Sequence, residues 1–138
     1  MPSDVDRAAS DDGVVASVDD DDSIRTALNS LLRSLGVRVT AFASAEDFVE
    51  SAHTGDTACL IVDVRLPGIS GLDLQRELVA SGRRLPTIFI SAHDDAPVRR
   101  QAVKGGAVAF LGKPFADQAL LEAIRAALGG AADLIPTR

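Results

Sequence analysis

The sequence predicts an α/β domain: a doubly wound parallel sheet of five strands, (βα)5, with helices on both faces. Three observations carry that expectation. Short β-rich runs alternate strictly with stretches of helical period, three of those runs are almost continuously apolar, and Gly or Pro marks most of the changes of period. Continuous apolarity belongs to strands covered on both faces, and strict alternation belongs to parallel crossovers.

Each element has its own local signal. The strands are expected at Val14–Val18, Val37–Phe42, Ala58–Val62, Thr87–Ser91 and Val108–Leu111. Ile24, Leu28, Leu31, Leu32 and Leu35 recur at helical spacing, and Gly36 follows as a stop. Ser44 reads as an N-cap with acids in the first turn, opening a second helix through about Ala52. Ser70 caps a third, carrying Leu72, Leu78 and Val79 and closed by Gly82. Asp95-Ala-Pro97 starts a fourth, where Pro is tolerated in the first turn, and Gly105-Gly106 ends it. The last carries Leu120, Leu121, Ile124 and Leu128 before Gly129-Gly130.

At 138 residues the chain suits one well-cored domain. Residues 1–12 are expected to be a flexible acidic leader, 13–129 the domain, and 130–138 a tail or the start of a linker. With five Phe and neither Trp nor Tyr, the composition points to an aliphatic core of Val, Leu, Ile and Ala. The net charge of -6 is concentrated at the front, where residues 1–22 hold eight Asp and one Arg. That balance argues against direct nucleic-acid binding, which needs clustered Lys and Arg. The pairs Arg83-Arg84 and Arg99-Arg100 read as solvated helix-end charges. The lone Cys59, set in an apolar run, fits a reducing compartment and lacks the base and exposure a catalytic thiol needs. The acidic start has no apolar signal region and no run reaches membrane-spanning length, so a cytoplasmic location is expected.

Ligands of such sheets bind outside the carboxyl ends of the strands. Those ends carry the run Asp19–Asp22, then Asp63, Ser91 and Lys113-Pro114. Clustered carboxylates repel unless a cation relieves them, and hard oxygen donors of this kind suit Mg²⁺. A lysine opposite them would pair with carboxylate or phosphate oxygens, and a carboxylate nucleophile can form an acyl phosphate. Each feature alone is ordinary: an Asp run is often a solvated loop or cap, and Lys-Pro is often an exposed turn. Their arrival together, in order, at the ends of alternating strands is what points to phosphoryl chemistry.

These segments resemble the receiver domains of bacterial two-component response regulators. The resemblance runs from about Gly13 to Leu128, through Val14–Arg25 (VVASVDDDDSIR), Leu60–Gly71 (LIVDVRLPGISG), Ile88–His93 (IFISAH) and Gly106–Phe115 (GAVAFLGKPF). It implies the flavodoxin-like strand order 2-1-3-4-5. It implies that Asp63 is the phosphoacceptor and that Lys113 and Ser91 contact the phosphoryl group. Asp20, Asp63 and the Arg65 backbone carbonyl would hold Mg²⁺ or Mn²⁺, with Asp19 reaching it through water. Ser91 and Phe110 would form the switch, and Lys113-Pro114 would be cis. Arg65 and His93 would tune phosphate lifetime by screening it from water. A sensor histidine kinase is the implied donor and an output domain or effector protein, controlling transcription, the implied reader. A phosphorylation-dependent homodimer through the fourth helix, fifth strand and fifth helix is a further expectation.

The DVRLPG and KPF segments look most similar to the FixJ-like subgroup, whose members often carry a DNA-binding output domain; no such segment stands within these 138 residues. The chain would be no enzyme in the ordinary sense, only a switch with self-directed phosphotransfer and autodephosphorylation. Two alternatives stay open. A hydrolase using an aspartyl phosphate would want a second acid two residues after the nucleophile, where Arg65 stands. A phosphorylation-independent interaction module would be expected to have lost the acids or the lysine.

Overall fold

The computed structural model describes residues 14–51, 57–83, 85–92 and 96–128. The expected leader and tail lie outside them, as do Ala52, Arg84, His93 and Asp95. In chain order the elements are β1 (Val14–Val18), α1 (Asp22–Ser34), β2 (Val39–Phe42), α2 (Ala45–Glu50), β3 (Thr57–Asp63), α3 (Gly71–Ala80), β4 (Thr87–Ser91), α4 (Ala96–Lys104), β5 (Ala109–Gly112) and α5 (Asp117–Leu128). The five strands form one parallel sheet in the order β2-β1-β3-β4-β5.

The sheet's two faces explain the apolar runs. Along β3, Cys59 and Ile61 enter one core with Val15, Ile88 and Ile90, beneath Leu28 and Leu32 of α1 and Leu120 and Ile124 of α5. The alternate residues Leu60 and Val62 enter the other with Val18 and Phe89, beneath Phe48 of α2, Leu74 of α3 and Ala102 of α4. A strand between two helix layers has no polar side to show, so both sets of positions are apolar. Each fully buried Leu, Ile or Phe contributes roughly 1.5–3 kcal/mol of transfer free energy, which adds to the strand preference of the β-branched residues in these runs. Burial in this core also pushes the Cys59 thiol up to about 12, well away from reactivity.

The boundaries move by small amounts for local reasons. Strand β2 begins at Val39 rather than Val37, because the Val37 amide turns back to the Leu32 carbonyl at 2.9 Å to close α1. Gly36 makes that reversal with φ 79°, a left-handed conformation that costs glycine little. The ends of α3 and α4 repeat the pattern, with Arg83 bonded to Leu78 and Ala107 to Ala102. Strand β3 is one residue longer at each end than expected and takes in Asp63, whose Cα partner is Ile90. Strand β5 slides one residue toward Gly112. Helix α2 ends at Glu50, and Ser44 and Ser70 cap α2 and α3 as the sequence suggests.

The strand order sets the place of the site. From β1 the chain steps out to β2 on one side, then crosses to β3 on the other. The carboxyl ends of β1 and β3 therefore face a crevice that no crossover fills.

Candidate functional site

The acidic run after β1 is four residues doing four jobs. Asp19 is buried, at 2% exposure, and its Oδ1 accepts the Asp21 amide at 2.9 Å. Asp20 is exposed at the crevice. Asp21 is the N-cap of α1, its Oδ1 accepting the amides of Ser23 and Ile24. Asp22 occupies the first helical turn and pairs with Arg25. Arg25 also donates from a guanidinium nitrogen to the Asp19 carbonyl at 2.6 Å, pinning the loop. Sequence reasoning passed over Arg25; its spacing of six from Asp19 gave no signal without the helix start.

Asp63 closes β3 at 8% exposure. Its Oδ1 accepts the Arg65 amide at 2.9 Å, and its Oδ2 accepts from the Lys113 ammonium at 2.8 Å. Lys113 also donates to Asp19 Oδ2 at 3.2 Å. In both carboxylates one oxygen is fixed by backbone and the other faces the lysine. Burial raises the Asp19 pKa above the carboxylate range, and the Asp63 charge adds to that; the Asp21 amide and Lys113 oppose it. Burial works against the Lys113 charge too, but the bond to Asp63 and the two carboxylate charges prevail and hold it above the usual lysine range.

Carboxylate oxygens of Asp19, Asp20 and Asp63 lie within 4.8 Å of one another. Three carboxylates and one ammonium leave two negative charges in a small crevice. Unit charges about 4 Å apart interact by about 4 kcal/mol at an effective dielectric of about 20, so this excess is a real strain. An all-oxygen donor set with surplus negative charge fits a hard divalent cation.

Ser91, at 2% exposure, ends β4 beside the crevice, and its carbonyl accepts the Lys113 amide at 2.7 Å. The Lys113-Pro114 bond is cis, as the resemblance implied. Phe110 is half-buried on β5, with its ring 6.3 Å from that of Phe89. The Arg99 guanidinium stands 4.9 Å above the Phe110 ring. Reading Arg99 as only a solvated helix-end charge was therefore incomplete: it sits mid-helix in α4 and stacks on a ring eleven positions away in sequence. Arg65 is exposed beside Asp63, whereas His93 is outside the described residues.

Residues 15–125 match the response regulator receiver domain family, and the chain belongs to it. Such a domain is a component of two-component signal transduction and is not an enzyme of the ordinary kind. The chain is 50% identical over 119 residues to nodulation protein W of Bradyrhizobium diazoefficiens, covering 86% of this chain and 52% of that protein. It is 45% identical over 116 residues to the transcriptional regulatory protein FixJ of Azorhizobium caulinodans, covering 84% of this chain and 55% of that one. The solved structure of response regulator StyR superposes with a TM-score of 0.79 at 45% identity, covering 87% of this chain and 61% of that one. The chain thus spans about half the length of the curated relatives it matches. No helix among the described residues is long and apolar enough to cross a membrane.

Two outcomes are expected from this geometry. A Cβ on Gly71 would lie 2.5 Å from the Asp63 carbonyl oxygen and 3.1 Å from the Val64 Cα. Helix propensity alone would make Gly71→Ala stabilising by up to about 1 kcal/mol. The clash reverses the sign, and urea denaturation should show a lower midpoint than wild type. Asp19 has a raised folded-state pKa, so its neutral form favours folding at acid pH and that contribution is lost as pH rises through the folded value. Asp19→Asn should therefore raise the urea midpoint of the protein in EDTA at pH 7, by a margin that shrinks toward pH 4. An unchanged or lowered midpoint at pH 7 would contradict this account of Asp19.

Proposed function

We propose that Asp63 accepts a phosphoryl group from the phosphohistidine of a sensor histidine kinase, so that the domain cycles between two conformations. The observation that supports this most is the Asp63 carboxylate, held at one oxygen by the Arg65 amide and facing Lys113 with the other, in a crevice shared with Asp19 and Asp20. In the reaction, Asp63 Oδ2 attacks phosphorus, the phosphorus–nitrogen bond to the kinase histidine breaks, and an acyl phosphate forms. Lys113 moves its hydrogen bond from Oδ2 to a phosphoryl oxygen as negative charge passes outward. Asp20, Asp63 and the Arg65 carbonyl would hold Mg²⁺ or Mn²⁺, with Asp19 reaching it through water; the ion would neutralise phosphoryl charge.

Ser91 donates its hydroxyl to another phosphoryl oxygen, and hydrolysis by water later returns Asp63 to a carboxylate. The exposed Arg65 side chain, two residues beyond Asp63, and His93, two beyond Ser91, screen the acyl phosphate from that water. In the switch, Phe110 turns inward as Ser91 shifts, which takes its ring from under Arg99; a partly exposed contact of that kind is worth about 0.5–1 kcal/mol, small enough for phosphorylation to overcome. The face of α4, β5 and α5 then changes shape. It serves a cytoplasmic regulator whose output is transcription, through a further domain or a separate effector, and it supports a phosphorylation-dependent homodimer.

Incubation with Mg²⁺ and acetyl phosphate or phosphoramidate should give a base-labile adduct that Asp63→Asn abolishes and Arg65→Ala sheds faster. No adduct on the wild type would leave the phosphorylation-independent module as the better reading. Light scattering with beryllofluoride and Mg²⁺ should show a dimer that is lost without them; a monomer in both samples refutes the dimer.

A further inference from the structure

Glu46 lies in the first turn of α2, an element that precedes β3 and the β3–α3 loop in the chain. Its Oε2 accepts the Ile69 amide at 3.2 Å, across a separation of 23 residues. The same carboxylate fills the space where residue 68 would carry a side chain. Gly68 has φ 77°, and a Cβ there would run into Glu46 Oε2. The other oxygen, Oε1, is buried and has no hydrogen-bond partner among the described residues.

Helix α2 does not need this arrangement. Its N-terminus is capped by Ser44, whose hydroxyl accepts the Asp47 amide at 3.0 Å. A carboxylate that leaves one oxygen buried and unpaired is held in place by something else, because an unmatched buried acceptor is costly. What holds it is the loop. That loop is fixed at its start by the Arg65 amide on Asp63 Oδ1 and the Val64 amide on the Ile90 carbonyl, and at its end by the Gly71 amide on the Val64 carbonyl. Glu46 adds a further tie at Ile69, just before the cap of α3, from an element that contributes no other described contact to the site.

We propose that Glu46 is a positioning residue for the divalent-cation site: by clasping Gly68 and Ile69 it sets the loop that presents the Arg65 carbonyl. This rests on the metal reading of the crevice. It makes the acceptor, not the charge, the working part. Glu46→Gln keeps an acceptor of the same reach, Glu46→Asp withdraws it by one methylene while keeping the charge, and Glu46→Ala removes it.

The test measures Mg²⁺ binding by isothermal titration calorimetry and protection of the Ile69 amide by hydrogen exchange, with Asp20→Asn as the control at the metal itself. Glu46→Ala and Glu46→Asp should each bind Mg²⁺ about tenfold more weakly, the low end for groups that support metal ligands, and lose Ile69 protection. Glu46→Gln should match wild type in both. If the Ala variant does not fold, the Asp variant decides. Wild-type affinity in the Asp variant, or a Gln variant as weak as Asp, overturns the proposal alone. A wild type that binds no Mg²⁺, or binds it equally well with Asp20→Asn, overturns the metal reading and the proposal with it.

Discussion

The structure turns on the Lys113 ammonium, held between Asp63 at 2.8 Å and Asp19 at 3.2 Å. Asp19 directly follows β1 and Asp63 ends β3, the two strands that flank the switch in strand order, and the lysine follows β5 at the sheet's edge. Without the lysine, two buried acids would face each other with no counter-charge. With it, the crevice keeps an excess of negative charge large enough to attract a cation and small enough to fold around. Buried charges are tolerated only when paired and hydrogen-bonded, and here each carboxylate has both a backbone amide and the lysine.

The surrounding framework is rigid where the chemistry needs it. Asp63 is the last residue of β3 and Asp19 the first beyond β1, strands packed on both faces, so their Cα positions are set by the cores above and below. Gly71 brings α3 against the Asp63 carbonyl so closely that no side chain fits between them. Arg25 and Glu46 then fix the two loops from outside, one through the Asp19 carbonyl and the other through the Ile69 amide. The contact between β5 and α4 is more open. Phe110 is half-buried, and Arg99 covers it from an exposed position on α4. Such freedom as the side chains have therefore lies with Phe110 and Arg99 rather than with the buried Asp19 and Asp63.

Sequence alone determined the class of fold, because alternation of continuous apolar runs with helical periods has few physical solutions. It also brought forward Asp63, the run Asp19–Asp22, Ser91 and Lys113 as candidates, because strand ends are legible and their residue types share one chemistry; the family resemblance narrowed the run to Asp19 and Asp20. Tertiary structure decided how those residues divide the work. The four consecutive aspartates look alike in sequence, yet only the start of α1 at Asp22 makes Asp21 a cap and turns Asp19 inward. The same holds for Val37, which looked like strand until the closing turn of α1 claimed its amide. Arg25, Arg99, Gly71 and Glu46 acquire meaning only through contacts outside their own elements, with Asp19, Phe110, Asp63 and Ile69. Local patterns encode periodicity and caps, whereas which side chain meets which across a crossover is settled by packing, and no short window of sequence contains it.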